Sequence, residues 1–297
     1  MKCGIVTVYN SENSGSFLQA YALSQTLKKN GNETAFVRQN HRDHSASLTN
    51  YLKLIAKAAI RGNFEGVKRL AIRRKAFQCA CQHLQIVDEL TAPSCCILGS
   101  DVIWDITVPF FRNHHSFFWG TQFKNSKVIS YAASVGFAKE KDLEACSFVR
   151  SSLKNMQMVS VRDKTSKQLL QLYCDKEIQI VCDPTYLLDK EEYNAIAAPT
   201  DLRQFLFIYY YGKMTQEDRA AIQELAKKEG LKMVTFGNHN SWCDVSLAYD
   251  PLLFLSLYDK AEYIITNTFH GTVFATIYEK KFAVIKNDKP KVLNVLE

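Results

Sequence analysis

Ile264-Ile265-Thr266-Asn267-Thr268-Phe269-His270-Gly271-Thr272-Val273-Phe274 begins as an apolar run, passes through small polar residues to a His-Gly pair, and continues as an apolar segment with helical potential. The pattern predicts a buried parallel strand that delivers its last residues to the carboxyl edge of a sheet. The next helix then starts at that edge with open backbone N–H groups and a positive dipole end, where anions bind. His270 would stand there as donor, acceptor or proton carrier, with an unperturbed pKa near ~6.5. The alternative is a capped helix with an incidental histidine.

Outward from that stretch the same alternation repeats. Phe205 to Tyr211, Lys232 to Phe236, Tyr263 to Ile265 and Lys281 to Ile285 read as strands, with Gln216 to Glu229 and Pro251 to Tyr258 as helices between them. Toward the amino end, Gly4 to Tyr9 reads as a strand, Phe17 to Lys29 as a helix closed by Gly31, and Thr34 to Arg38 as a second strand. Lys127 to Tyr131, Met158 to Val161 and Ile178 to Cys182 add further strands, with Lys164 to Leu172 helical. Such alternation in two blocks predicts two doubly wound, Rossmann-like α/β domains facing a cleft. The polar stretch from Asp189 to Asp201 marks the boundary, giving domains at 1–190 and 200–297. The first carries a helical, basic insertion at 45–90, whose cluster Lys68, Arg69, Arg73, Arg74 and Lys75 could meet an anionic lipid surface or simply solvent.

The 297 residues carry a net charge of +7, and 47% are hydrophobic. That length suits two domains of roughly 100–200 residues, and the modest charge favours small anions over nucleic acid, for which no binding signature is present. Nine cysteines, an odd number and several of them inside apolar runs, fit a reduced, cytoplasmic protein. Cys79-Ala80-Cys81 lacks a second ligand pair, so no metal is expected. The amino terminus lacks the apolar length of a signal peptide or membrane span.

Six motifs stand in order along the chain: Asn13-Ser14-Gly15-Ser16-Phe17-Leu18-Gln19-Ala20-Tyr21-Ala22-Leu23; Gly99-Ser100-Asp101 with Trp104; Tyr131-Ala132-Ala133-Ser134; Val161-Arg162-Asp163; Asp183-Pro184-Thr185; and Thr266 to Phe274. Together they resemble the polysaccharide pyruvyl transferase family over nearly the whole chain. The resemblance implies a fold similar to the two-domain GT-B glycosyltransferases. It also implies transfer of the pyruvyl group of phosphoenolpyruvate to sugar hydroxyls, forming a ketal on a cell-surface polysaccharide or exopolysaccharide precursor, with phosphoenolpyruvate as donor substrate and no further cofactor. The acceptor would be a sugar or a lipid-linked glycan, met at the inner face of a membrane by peripheral contact, with the N-terminal domain on the acceptor side and the C-terminal domain on the donor side. Thr268 stands where some members carry arginine, and Val102 where the family has glutamine, leaving Arg162 and Lys286 as sources of positive charge. The chain stops at Glu297 in what reads as the start of a helix, so the resemblance implies an incomplete C-terminal segment.

The residue chemistry fits that reaction. A phosphate and a carboxylate want charge-assisted donors, for which Arg162, Thr268, Gly271 and Thr272 are the candidates. Protonation of the enol carbon and attack by a hydroxyl need an acid and a base, for which His270 and Asp101 are the candidates, although an aspartate after Gly-Ser is often only a helix cap. Asn13, Ser16, Gln19, Trp104 and Ser134 are candidate acceptor or loop contacts. Against these stand plainer readings: an ion pair for Arg162, turn chemistry for Asn13, Ser16 and Gln19, and a core position for Trp104. Two other functions remain open, a glycosyltransferase using a nucleotide sugar and a catalytically silent glycan-binding subunit.

Overall fold

Nine of the strand runs described above become parallel strands in a computed structural model of the protein, which describes residues 1–11, 13–38, 48–89, 95–237 and 239–285. Lys286 and Glu297 lie outside the described residues. In chain order the elements begin with β1 (Lys2–Val6), α1 (Ser14–Lys29), β2 (Glu33–Val37), α2 (Leu48–Ile60), α3 (Phe64–Cys81), β3 (Ile86–Val87) and β4 (Cys95–Leu98). There follow α4 (Pro109–Asn113), α5 (His115–Phe118), β5 (Lys127–Ser130), α6 (Glu140–Glu144), α7 (Phe148–Asn155), β6 (Ser160–Val161), α8 (Lys164–Gln171), β7 (Gln179–Ile180) and α9 (Lys190–Asn194). The rest is β8 (Phe205–Tyr209), α10 (Gln216–Glu229), β9 (Lys232–Phe236), β10 (Val245–Leu247), α11 (Pro251–Lys260), β11 (Tyr263–Thr266), α12 (Phe269–Ile277) and β12 (Lys281–Val284).

The chain divides into two compact units. The first comprises Met1–Ser11, Ser16–Asp43 and Cys81–Leu187. Its parallel sheet runs β3-β2-β1-β4-β5, with Ile5 paired to Phe36 on one side and Ile97 on the other. Isolated bridges from Ile129 to Met158 and from Ala133 to Val161 carry the sheet toward β6, which pairs with β7. The central strands β1 and β4 are buried almost throughout, on both alternating sets of residues, as in parallel sheets covered on both faces. The core here is aromatic at one end, where Trp104 stacks on Trp119 at 4.9 Å.

The second unit holds a parallel sheet of order β10-β9-β8-β11-β12, with Phe207 paired to Val234 and Ile264. β8 is buried along its whole length, and its Phe207 and Tyr209 meet Tyr258 and Phe254 edge to face at 5.4 and 5.0 Å. Phe254 in turn meets Phe274 at 5.3 Å, so α11 and α12 are fixed on one face by ring contacts worth about 0.5–1.5 kcal/mol each beyond burial. The helix ends follow the sequence chemistry. Thr215 accepts from Asp218 N and Gly230 closes α10 at φ +66°, while Asp250 accepts from Leu252 N and Leu253 N ahead of Pro251.

One boundary differs from the linear reading, which attaches the basic helical segment to the N-terminal domain. Residues of α2 and α3, in His44–Ala80, pack with the second unit. Arg69 shows why: its Nη1 donates to Gly237 O at 3.1 Å and its Nη2 to Ser246 O at 2.5 Å, at the ends of β9 and β10. Arg73 lies over the Tyr249 ring at 5.2 Å and Arg74 over Tyr51 at 4.5 Å. Of the five basic residues read as one surface cluster, Lys68 and Lys75 are exposed and the three arginines are half-buried.

Candidate active site

The His-Gly stretch folds as its pattern predicts. β11 ends at Thr266, Thr268 caps α12 by accepting from Gly271 N at 2.9 Å, and Thr268 N donates to Thr266 Oγ1 at 3.1 Å. Thr272 Oγ1 donates back to Thr268 O at 3.1 Å. Gly271 is buried where a side chain would overlap the hydroxyls of Thr266 and Thr268. Thr268, Gly271 and Thr272 thus build the turn and leave the first residues of α12, Phe269 and His270, at the helix start, where His270 is half-buried. Asn267 fastens the turn to the end of β8, accepting from Tyr211 N at 2.9 Å and donating to Tyr211 O at 2.8 Å.

Asn13, Ser14 and Gly15 pack with this second unit. Asn13 Oδ1 accepts from Gly15 N at 2.9 Å, which caps the first turn of α1. A methyl group on Gly15 would overlap the imidazole and the Cβ of His270, so the ring occupies the space that glycine leaves. Gly15→Ala is therefore expected to destabilise the chain by about 1–3 kcal/mol through overpacking, more than the ~1 kcal/mol that alanine gains over glycine in a helix. Urea unfolding measures it, and an unchanged or raised midpoint would show that the ring can move aside freely. Ser14 belongs to the first of the six motifs. Its hydroxyl is fully buried and has no hydrogen-bond partner among the described residues.

In the first unit the carboxyl edge gathers four of the expected residues. Gln19 Nε2 donates to Thr7 Oγ1, Val8 O and Ser16 O at 3.1, 3.0 and 2.8 Å, while its Oε1 accepts from Ser100 Oγ at 2.8 Å. Ser16 Oγ donates to Asp101 Oδ2 at 2.7 Å. Asp101 Oδ1 accepts from Val102 N at 2.8 Å and lies 3.5 Å from Arg162 Nη2. Arg162 Nη1 donates to Asp183 Oδ2 at 3.0 Å, and Asp183 Oδ1 accepts from Thr185 N and Thr185 Oγ1. Burial by itself would lower the Arg162 pKa, and the carboxylates of Asp101, Asp183 and Asp163 reverse that and raise it. Arg162 is thereby an ion-pair centre with a side chain only 5% exposed.

The remaining residues fall into the scaffold. Trp104 is fully buried with Nε1 donating to Phe118 O at 2.9 Å, so it is a core ring and offers no face to a sugar. Ser134 N donates to Asp101 O at 3.0 Å, and its hydroxyl accepts from Gly136 N at 3.2 Å. Burial first, then the contact with Cys182 Sγ at 3.7 Å, push the Tyr131 hydroxyl pKa up and keep it neutral. Asp163 caps α8 through Ser166 N at 2.7 Å.

No curated protein matches the chain. Solved structures share its architecture at low identity. A putative UDP-N-acetylglucosamine 2-epimerase from Listeria monocytogenes is 8% identical with a TM-score of 0.52, covering 99% of this chain and 81% of its own. An uncharacterised protein from Klebsiella pneumoniae is 13% identical with a TM-score of 0.51, over 99% of this chain and 86% of its own. The UDP-GlcNAc 2-epimerase of Methanocaldococcus jannaschii is 10% identical with a TM-score of 0.50, over 100% of this chain and 87% of its own. At such identities the likeness speaks for the fold, which is of the GT-B type with two parallel α/β units. The family profile described as polysaccharide pyruvyl transferase, by contrast, matches residues 13–289, from the Asn13 that caps α1 to beyond the last strand of the second sheet. With all six motifs inside that match, the chain belongs to the polysaccharide pyruvyl transferase family and is a transferase.

Proposed function

We propose that the protein transfers the pyruvyl group of phosphoenolpyruvate to two hydroxyls of a sugar in the assembly of a cell-surface polysaccharide. A proton added to the methylene carbon of the enol phosphate makes a methyl group and leaves an oxocarbenium-like centre. One sugar hydroxyl adds to that carbon, the C–O bond to phosphate breaks, and the second hydroxyl closes the ketal. Of the two hydroxyl protons, one balances the new methyl C–H and the other leaves on phosphate. The observation that carries the reading is His270 at the start of α12, its ring seated in the space left by Gly15. A helix start and an imidazole suit a phosphate-bearing donor. Asp101 is the candidate for taking a hydroxyl proton, and within the first unit its Oδ2 accepts the hydroxyl of Ser16.

The acceptor we propose is a glycan on a lipid carrier. Supporting this, Leu52, Ile60, Phe64 and Ile72 are exposed on α2 and α3 or beside them, alternating with exposed Lys53, Arg61, Lys68 and Lys75. That is the composition of a helix surface that lies on an anionic membrane. The protein would work there at the inner face, and no helix among the described residues is long and apolar enough to cross a membrane.

The test is calorimetric titration of phosphoenolpyruvate into the chain. Saturable binding, weakened in His270→Ala, is the expected result. A folded chain that ignores phosphoenolpyruvate and binds a nucleotide sugar would replace the proposed donor.

A further inference from the structure

Within the second unit, a cavity of about 620 Å³ opens between α2, the first turns of α3 and the end of β9. Its wall includes Lys57, Arg61, Arg69, Arg73, His239 and Tyr249. Four fixed cations face one carboxylate there, Glu65, which is already taken by Arg69 Nε at 3.0 Å. Arg69 is fixed in the wall by bonds from Nε, Nη1 and Nη2 to Glu65, Gly237 O and Ser246 O. Arg73 is oriented by the Tyr249 ring, which stands where a Gly237 side chain would be. Lys57 and Arg61 have no acidic partner among the described residues.

This concentration of positive charge lies at the carboxyl end of β9, the edge on which parallel α/β sheets hold ligands. Tyr249 stacks on Tyr211 at 6.0 Å, and Tyr211 is bound to Asn267 of the His270 turn. β9 and β11 flank β8, so their ends are two strand spacings, about 10 Å, apart. The pocket is therefore separate from the His270 helix start yet on the same sheet edge. Its volume falls among those of pockets for whole small molecules, roughly 300–1,000 Å³, and exceeds what a bare phosphate needs.

We propose that this pocket binds a phosphate or diphosphate ester, with Lys57, Arg61 and Arg73 as its charge-assisted donors. The assignment stands on the pocket alone and does not depend on phosphoenolpyruvate being the donor of the reaction.

The experiment titrates inorganic diphosphate into the full chain by calorimetry. Saturable binding is expected, weakened at least tenfold in the double variant Lys57→Gln/Arg61→Gln, whose changed residues are exposed and leave the core intact, and weakened likewise in Arg73→Gln. Binding in His270→Ala is expected to match the wild type. Displacement of diphosphate by glucose 1-phosphate assigns a soluble ester. Displacement only by phosphatidylcholine vesicles containing phosphatidic acid assigns a lipid headgroup. Absence of saturable binding by the folded wild type overturns the proposal, as does equal affinity in the double variant. Loss in His270→Ala with retention in the double variant also overturns it, by moving the anion to the helix start.

Discussion

His270→Ala is expected to lower turnover by about two to four orders of magnitude, the range supplied by a positioned acid or base, with a small change in stability. The second half of that expectation comes from the turn itself. Thr268, Thr266 and Thr272 hold the α12 start through their own hydroxyls and amides, and Asn267 ties it to Tyr211, so none of these bonds passes through the imidazole. Activity should therefore fall without the turn coming apart. The measurement is the rate of phosphate release from phosphoenolpyruvate in the presence of a sugar acceptor, alongside a denaturation curve. A rate within threefold of wild type would remove the imidazole from the chemistry and leave it as a packing group against Gly15.

Arg162→Met should act in the opposite way, on stability first. The guanidinium is buried between Asp101 and Asp183, whose side chains are 12% and 1% exposed. An apolar side chain of similar length fills the space but leaves two carboxylates without their cation, and breaking a buried pair in this way costs about 3–5 kcal/mol. That is a large share of a marginal total of roughly 5–15 kcal/mol. Adding Asp183→Asn should restore part of the loss, because the uncompensated charge is then halved. If Arg162→Met unfolds at the wild-type denaturant midpoint, the ion pair holds nothing together and the arginine is free to serve a ligand.

How much of this was readable in the amino-acid order depends on the range of the interactions. α10 and β9 follow from local signals, since Thr215 opens the helix, Gly230 closes it in a left-handed conformation and Lys232–Phe236 is a short β-forming run. The His270 turn is likewise local, because Thr268, Gly271 and Thr272 lie within one helical turn. β10 has three half-buried residues and no periodicity to announce it. The Ser16–Asp101–Arg162 constellation joins residues 85 and 61 positions apart, so only the family resemblance brought its members together before the fold did. Trp104 shows the limit from the other side: an aromatic near a polar motif reads the same whether it faces a sugar or, as here, a second tryptophan. The attachment of α2 and α3 to the second unit rests on Arg69 bonds spanning 168 and 177 positions, a distance at which sequence proximity to the first unit misleads.

That interleaving also sets a timetable for synthesis. α2 and α3 leave the ribosome before β4 and β5, which complete the first sheet, and the second unit they pack with resumes only at Leu188, about 100 residues after Ala80. At roughly 5–20 residues per second, the pair waits about 5–20 s before the first residue of that remainder is made. Slowing translation between residues 80 and 188 would lengthen that interval.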